Sequence, residues 1–206
     1  VTTSGATDEI YLSDTCLGAS SGCTPSTTLV SIGADGVSPA NGSSTEPYIS
    51  PDGQYVVFVS TATNLTAQAT TGAAEVYMRS TCLNAVTACT PNTTLVSLAP
   101  DGVTPADGAS ATPVVASGGR YVAFQSTATN LVSTPSSGTQ QLYWSDLCTG
   151  VTSGCTPSTS LVSIASGGAS PGNGSSVQPA LSADGRYVVF ASQATNLIGA
   201  GFVSGT

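Results

Sequence analysis

Histidine and lysine are both missing from the 206 residues, and arginine occurs only as Arg79, Arg120 and Arg186. Without histidine there is no Ser-His-Asp or Cys-His nucleophile, no His-ligated zinc and no His-ligated haem. Without lysine there is no Schiff base, no phosphate-loop lysine and no Lys–Asn cross-link. Charged residues make up 7% of the chain, against roughly 25% in an ordinary soluble domain. The net charge of −8 argues against a nucleic-acid partner, whose phosphates are neutralised by Lys and Arg. No apolar run reaches the roughly 18 residues of a membrane span, so none is expected. A helical period is also missing. These absences lead to an expected non-enzyme with no catalytic, cofactor-binding or metal-ligating residues.

Serine (31) and threonine (30) take the place of charge, while hydrophobic residues stand at an ordinary 40%. Six cysteines form three pairs of one spacing, Cys16/Cys23, Cys82/Cys89 and Cys148/Cys155. An even count at fixed spacing predicts disulfides and an oxidising compartment. Zinc knuckles use closer pairs with histidine, and a redox pair would want two-residue spacing and a basic neighbour. The expected location is extracellular or at the cell surface, with the periplasm as an alternative. The chain opens at Val1 with no leader-like segment, so a leader was either cleaved or never part of it.

The dominant signal is repetition. Tyr11, Tyr77 and Tyr143 are 66 residues apart, and so are Pro25, Pro91 and Pro157, Asn64, Asn130 and Asn196, and the cysteine pairs. Residues 9–74, 75–140 and 141–206 are three copies of one unit within a single module, 1–206, each copy burying its core against its neighbours. In the first copy Glu9–Asp14 reads as a strand, followed by a cysteine-bracketed loop and a second strand at Thr27–Ile32. A Gly/Pro/Asn/Ser loop runs from Gly33 to Glu46. Two further strands, Pro47–Ser50 and Tyr55–Ser60, flank the turn Pro51-Asp52-Gly53. Four short antiparallel strands per unit predict an all-β protein of propeller blades rather than a solenoid.

The segments ISPDGQYVVFVSTATNL (49–65), VASGGRYVAFQSTATNL (115–131) and LSADGRYVVFASQATNL (181–197) resemble the TolB-type β-propeller repeat, a WD-repeat-like family. The resemblance recurs in all three copies and implies blades whose two innermost strands are joined by the Asp-Gly turn, in rings of six or more. Asp52 and Asp184 match the turn aspartate, where the second copy has Gly118. Arg120 and Arg186 match the turn arginine, where the first copy has Gln54. The cysteine pairs replace a plain hairpin turn between the two outer strands.

In blade terms the chain starts at an outer pair of strands and ends after an inner pair. It therefore holds two blades and two halves of a third. The expected inter-chain strand edges are Glu9, Ile10, Tyr11 and Leu12 at one end and Tyr187, Val188, Val189 and Phe190 at the other. Head-to-tail completion of these half-blades would make a homo-oligomeric ring or a filament. The leading expectation is a structural or scaffold subunit of an extracellular assembly. The alternatives are a secreted propeller that binds a protein or glycan, and a piece of a longer propeller.

The remaining polar residues read as structural. Asp35, Asp52, Asp101, Asp107 and Asp184 belong to turn-forming loops, and Asp14 and Asp146 sit at strand ends before cysteines. Asn64, Asn130 and Asn196 are expected to cap their own turns. Sequons at Asn41, Asn64, Asn92 and Asn173 matter only in a host that glycosylates asparagine. The in-phase Tyr and Phe residues, and Trp144 at the position of Leu12 and Met78, are expected to pack between blades.

Overall fold

The computed structural model describes residues 7–19, 21–83, 88–134, 136 and 138–199. The last residues of the third repeat, 200–206, lie outside them. The chain is all-β. Two four-stranded antiparallel sheets lie side by side, each with the form of a propeller blade. Blade 1 contains β3 (Ser44–Ile49), β4 (Tyr55–Ser60), β5 (Glu75–Ser80) and β6 (Thr93–Leu95). Blade 2 contains β7 (Ser110–Val115), β8 (Tyr121–Ser126), β9 (Gln141–Asp146) and β10 (Ser158–Leu161). An outer half-blade, β1 (Tyr11–Asp14) with β2 (Ser26–Leu29), precedes blade 1. An inner half-blade, β11 (Ser176–Leu181) with β12 (Val188–Ser192), follows blade 2.

Three of the four strands expected in the first copy have other limits: β1 begins at Tyr11 rather than Glu9, and β2 and β3 are shifted as well. The inner strand β3 begins at Ser44, inside the expected loop, because a bulge carries the ladder past Pro47. Proline cannot donate to the ladder. The residue before it, Glu46, takes a φ of 52°, and Thr112 and Gln178 repeat this ahead of Pro113 and Pro179. The outer strand β2 stops at Leu29, short of the expected Ile32, where the chain turns and Ile32 makes a lone bridge to Pro39.

Alternation along each strand sends side chains to two packing layers. One layer joins β1–β2 to blade 1 through Ile10, Val30, Val56, Phe58, Tyr77 and Leu95. The other joins the two blades through Val57, Val59, Met78, Val115, Phe124 and Tyr143. Phe58 stacks on Tyr77 and Phe124 on Tyr143, both at 5.9 Å between centroids. The buried hydroxyls of Tyr77 and Tyr143 donate to the carbonyls of Ala62 and Ala128. Phe58, Tyr77, Phe124 and Tyr143 therefore pack between blades as expected, whereas Tyr11 and Tyr187 at the two half-blades are exposed.

A second contact repeats from blade to blade. The turn glycines Gly119 and Gly185 have φ of 66° and 74° and lie flat under the rings of Tyr55 and Tyr121. A Cβ at Gly185 would stand 2.1 Å from the Tyr121 ring, and one at Gly119 2.6 Å from Tyr55. In the second copy Gly118 stands at the place of the turn aspartate, with φ of 75°. The amide of Gly118 donates to Asp52 Oδ2 of blade 1 at 2.6 Å, so that turn is tied to its neighbour.

Disulfides close Cys16–Cys23, Cys82–Cys89 and Cys148–Cys155, with Cα–Cα distances of 5.7, 5.6 and 5.8 Å. Each staples the loop between the outer strands of a blade. Replacing Cys82 and Cys89 together by serine is expected to cost about 2–3 kcal/mol through restored loop entropy. A shift in the denaturation midpoint, with an unchanged far-ultraviolet spectrum, is the check.

Candidate functional site

The two half-blades leave a sheet edge open at each end of the array. β1 pairs only with β2 and β12 only with β11 among the described residues. The equivalent strands inside the chain pair on both sides: β4 with β5 as Phe58↔Tyr77, and β8 with β9 as Phe124↔Tyr143.

Burial shows what the ends lack. Tyr11 is 53% exposed, where its counterparts Tyr77 and Tyr143 are 1% and 0%. Val189 is 69% exposed, where Val57 and Ala123 are both 0%. On the outer face of blade 1, Ile49 is 45% exposed, where Val115 is 2%. Tyr187 is exposed as well, and nothing among the described residues lies within 4 Å of where a Cβ at Gly53, the counterpart of Gly119 and Gly185, would stand. These are the inter-blade contact positions of the repeat, stripped of a neighbour.

The eight residues expected at the edges do not all contribute alike. Tyr11, Tyr187 and Val189 are exposed, and Leu12, Val188 and Phe190 are half-buried. Ile10 is buried against blade 1, and its backbone is already used: its carbonyl accepts from Val30 N at 2.8 Å and its amide donates to Ser31 Oγ. Glu9 is half-buried and accepts from the Ser31 hydroxyl. The open edge of the outer half-blade therefore centres on Tyr11.

The other polar candidates are absorbed locally. Asp35 accepts from the amides of Val37 and Ser38, and Asp101 from those of Val103 and Thr104. The Ser38 hydroxyl, with those amides, holds the Asp35 carboxyl down at about 2. Asp52 and Asp184 accept from the amides of Gln54 and Arg186 in the same way. Asp107 instead reaches across to the Thr129 amide and hydroxyl. The asparagines also depart from expectation. Asn64 Oδ1 accepts from the Asn41 amide, and its Nδ2 donates to Pro39 O at 2.9 Å. Asn130 repeats both bonds, and Asn196 Oδ1 accepts from the Asn173 amide, so each holds the preceding loop rather than capping its own turn. Asp14 and Asp146 lie beside the disulfide sulfurs and accept from the amides of Cys16 and Cys148.

One buried group was not anticipated. Glu75 is fully buried at the start of β5; its Oε2 accepts from the Ser97 hydroxyl, and its Oε1 has no partner among the described residues. Gln141 occupies the same position in blade 2, where its Nε2 donates to the carbonyls of Gly172 and Gly174 at 3.0 and 3.4 Å. By the 66-residue offset, the counterparts of those two acceptors for Glu75 are the carbonyls of Ala106 and Gly108. Against such carbonyls a carboxylate oxygen would be repelled, whereas a carboxylic acid would donate as the amide does. Burial, with a smaller contribution from nearby Asp107, pushes the Glu75 carboxyl up to about 7. The signal in the sequence was the Glu9/Glu75/Gln141 exchange at one repeat position.

A cleft of about 530 Å³ opens between the outer strands of the two blades, lined by Leu95, Leu98, Leu147 and Pro157 among others. A smaller one of about 190 Å³ occupies the corresponding place between the outer half-blade and blade 1, where Arg79 stands in the position of Ser145. The cleft thus belongs to the repeat rather than to one specialised blade.

No helix among the described residues is long and apolar enough to cross a membrane. No protein-family model matches the chain. No curated protein matches it. Among solved structures it is similar to TolB from Acinetobacter baumannii, with 19% identity and a TM-score of 0.43 over 91% of this chain. The match spans 32% of that structure, so the chain corresponds to about a third of its length.

Proposed function

We propose that this protein is a non-enzymatic structural subunit of an extracellular assembly, joined head to tail by completion of its half-blades. One observation carries the reading. Inter-blade positions that are dry within the chain, those of Tyr77, Val57 and Val115, are bare at its two ends as Tyr11, Val189 and Ile49. Open edges and exposed apolar strands drive association unless something covers them. The cover that fits each end is the other end of a second copy, since both come from the same repeat. Such a contact is heterologous, so it closes into a ring or runs on as a filament. Two copies would supply six blade equivalents, the ring size of the family the repeats resemble. The disulfides suit an oxidising compartment, and the serine- and threonine-rich loops suit a place outside the cell. The ordinary turn and clasp roles of the carboxylates and asparagines support a scaffold over an enzyme.

Native mass under non-reducing conditions tests this. The reading predicts a species at twice 20.2 kDa or a large polydisperse polymer. A folded monomer at every concentration would overturn it and favour a piece of a longer propeller. The inter-blade cleft supports a second reading, a propeller binding module, which predicts capture of a ligand by a closed ring.

A further inference from the structure

Blade 2 is locked at its rim by an ion pair. Arg120, just before β8, donates from Nε and Nη2 to the two oxygens of Asp146, the last residue of β9, at 2.9 and 2.7 Å. The pair ties the inner half of the blade to its outer half. Both groups are held in place from their own side. The Arg120 guanidinium lies 4.8 Å over the Tyr121 ring, and Asp146 Oδ1 accepts from the Cys148 amide at 2.9 Å.

Blade 1 has neither charge, with Gln54 at the arginine position and Ser80 at the aspartate position. Arginine and aspartate are therefore both present in one complete blade and both absent from the other. Each charge recurs once more, on opposite half-blades. Arg186 precedes β12, and Asp14 ends β1. Neither meets the other within the chain, yet each is already posed as in blade 2. The Arg186 guanidinium lies 5.1 Å over the Tyr187 ring, and Asp14 Oδ1 accepts from the Cys16 amide at 2.8 Å.

We infer that Arg186 of one copy pairs with Asp14 of a second copy of this chain, closing the shared blade in the register of blade 2. This rests on the half-blade reading above and names its partner surface and alignment. The β8–β9 ladder pairs Tyr121 with Asp146, Val122 with Ser145 and Phe124 with Tyr143. Carried across the joint, it sets Tyr187 opposite Asp14, Val188 opposite Ser13 and Phe190 opposite Tyr11. The same placement lays the Tyr187 ring on the open Gly53 of the second copy, as Tyr55 lies on Gly119 and Tyr121 on Gly185. It also covers Ile49. A one-residue slip would turn Phe190 and Tyr11 to opposite faces and part the two charges.

The test is a charge exchange read by sedimentation. Arg186→Asp or Asp14→Arg alone brings like charges together and is expected to weaken self-association about tenfold or more. Mixed in equal amounts, the two variants regain wild-type association. Every joint of an alternating assembly is then complementary: Asp at 186 meets Arg at 14, and the native Arg186 meets the native Asp14. The double variant Arg186→Gln with Asp14→Ser copies the neutral pair of blade 1. It is expected to assemble with a weaker dependence on salt, and near-ultraviolet dichroism of all variants reports folding. Wild-type assembly that is indifferent to both charge reversals, or no rescue on mixing folded variants, overturns the ion pair and leaves half-blade joining standing. A wild-type chain that stays monomeric overturns both.

Discussion

Replacing Glu75 by glutamine is expected to stabilise the protein markedly above neutral pH and hardly at all at pH 4. Below the ordinary value of 4.5 the carboxyl is protonated in both folded and unfolded chains, so burying it carries no ionisation cost. Between 4.5 and about 7 the unfolded chain has lost the proton while the folded one retains it. The folded state then binds more protons, and stability falls as pH rises through this window. Above about 7 the loss is complete, on the order of 3 kcal/mol. Glutamine has no such window, and Gln141 already shows the amide satisfied by two carbonyls at this position. The expected gain at pH 8 is about 5–10 °C in melting temperature. A pH-independent gain, or none, would show that Oε1 of Glu75 does not face an acceptor. The turn aspartates act in the opposite sense. The carboxyl of Asp101 is held below its usual range by the Thr104 hydroxyl and amide, so its contribution is lost only as pH falls into the acid range.

Val189→Asp is expected to abolish assembly while leaving the single chain folded. In the free chain this side chain projects into solvent from β12, so a carboxylate there is hydrated. In a completed blade it takes the fully buried place of Val57, where an unpaired charge costs several kcal/mol. Dissociation constants should rise on the order of a thousandfold. The same change at Val57 itself, inside the dry layer between blades, should unfold the chain instead. A Val189→Asp protein that assembles like wild type would place the association surface elsewhere.

The features most legible in the sequence were those with a short-range or strictly periodic cause. The fixed phase of Tyr11, Tyr77 and Tyr143 announced blades and their core, and the cysteine spacing announced the staples. An aspartate two residues before its amide partner, as in Asp35 with Val37, is a local bond that composition alone suggests. The asparagine clasp was not legible, because Asn64 satisfies loop atoms more than twenty positions earlier and its own flanking residues carry no trace of them. Glu75 looked like any strand-opening residue, and its meaning appeared only beside Gln141 and the carbonyls of a loop in the following stretch of chain. The strand β3 was underestimated because Pro47 was read as its start, whereas a bulge lets pairing begin at Ser44. The loss of the turn arginine at Gln54 was visible in the sequence. That it coincides with loss of the aspartate at Ser80 becomes meaningful once the Arg120–Asp146 pair is seen.

A density map of the native assembly, resolved well enough to show strand register, tests the central claim most directly. The account predicts four-stranded blades throughout, with every third blade shared by two chains. In the shared blade β12 of one copy runs antiparallel to β1 of the next, with Phe190 opposite Tyr11 and Tyr187 over Gly53. An assembly built through other surfaces, with both terminal strand edges still open to solvent, would contradict it.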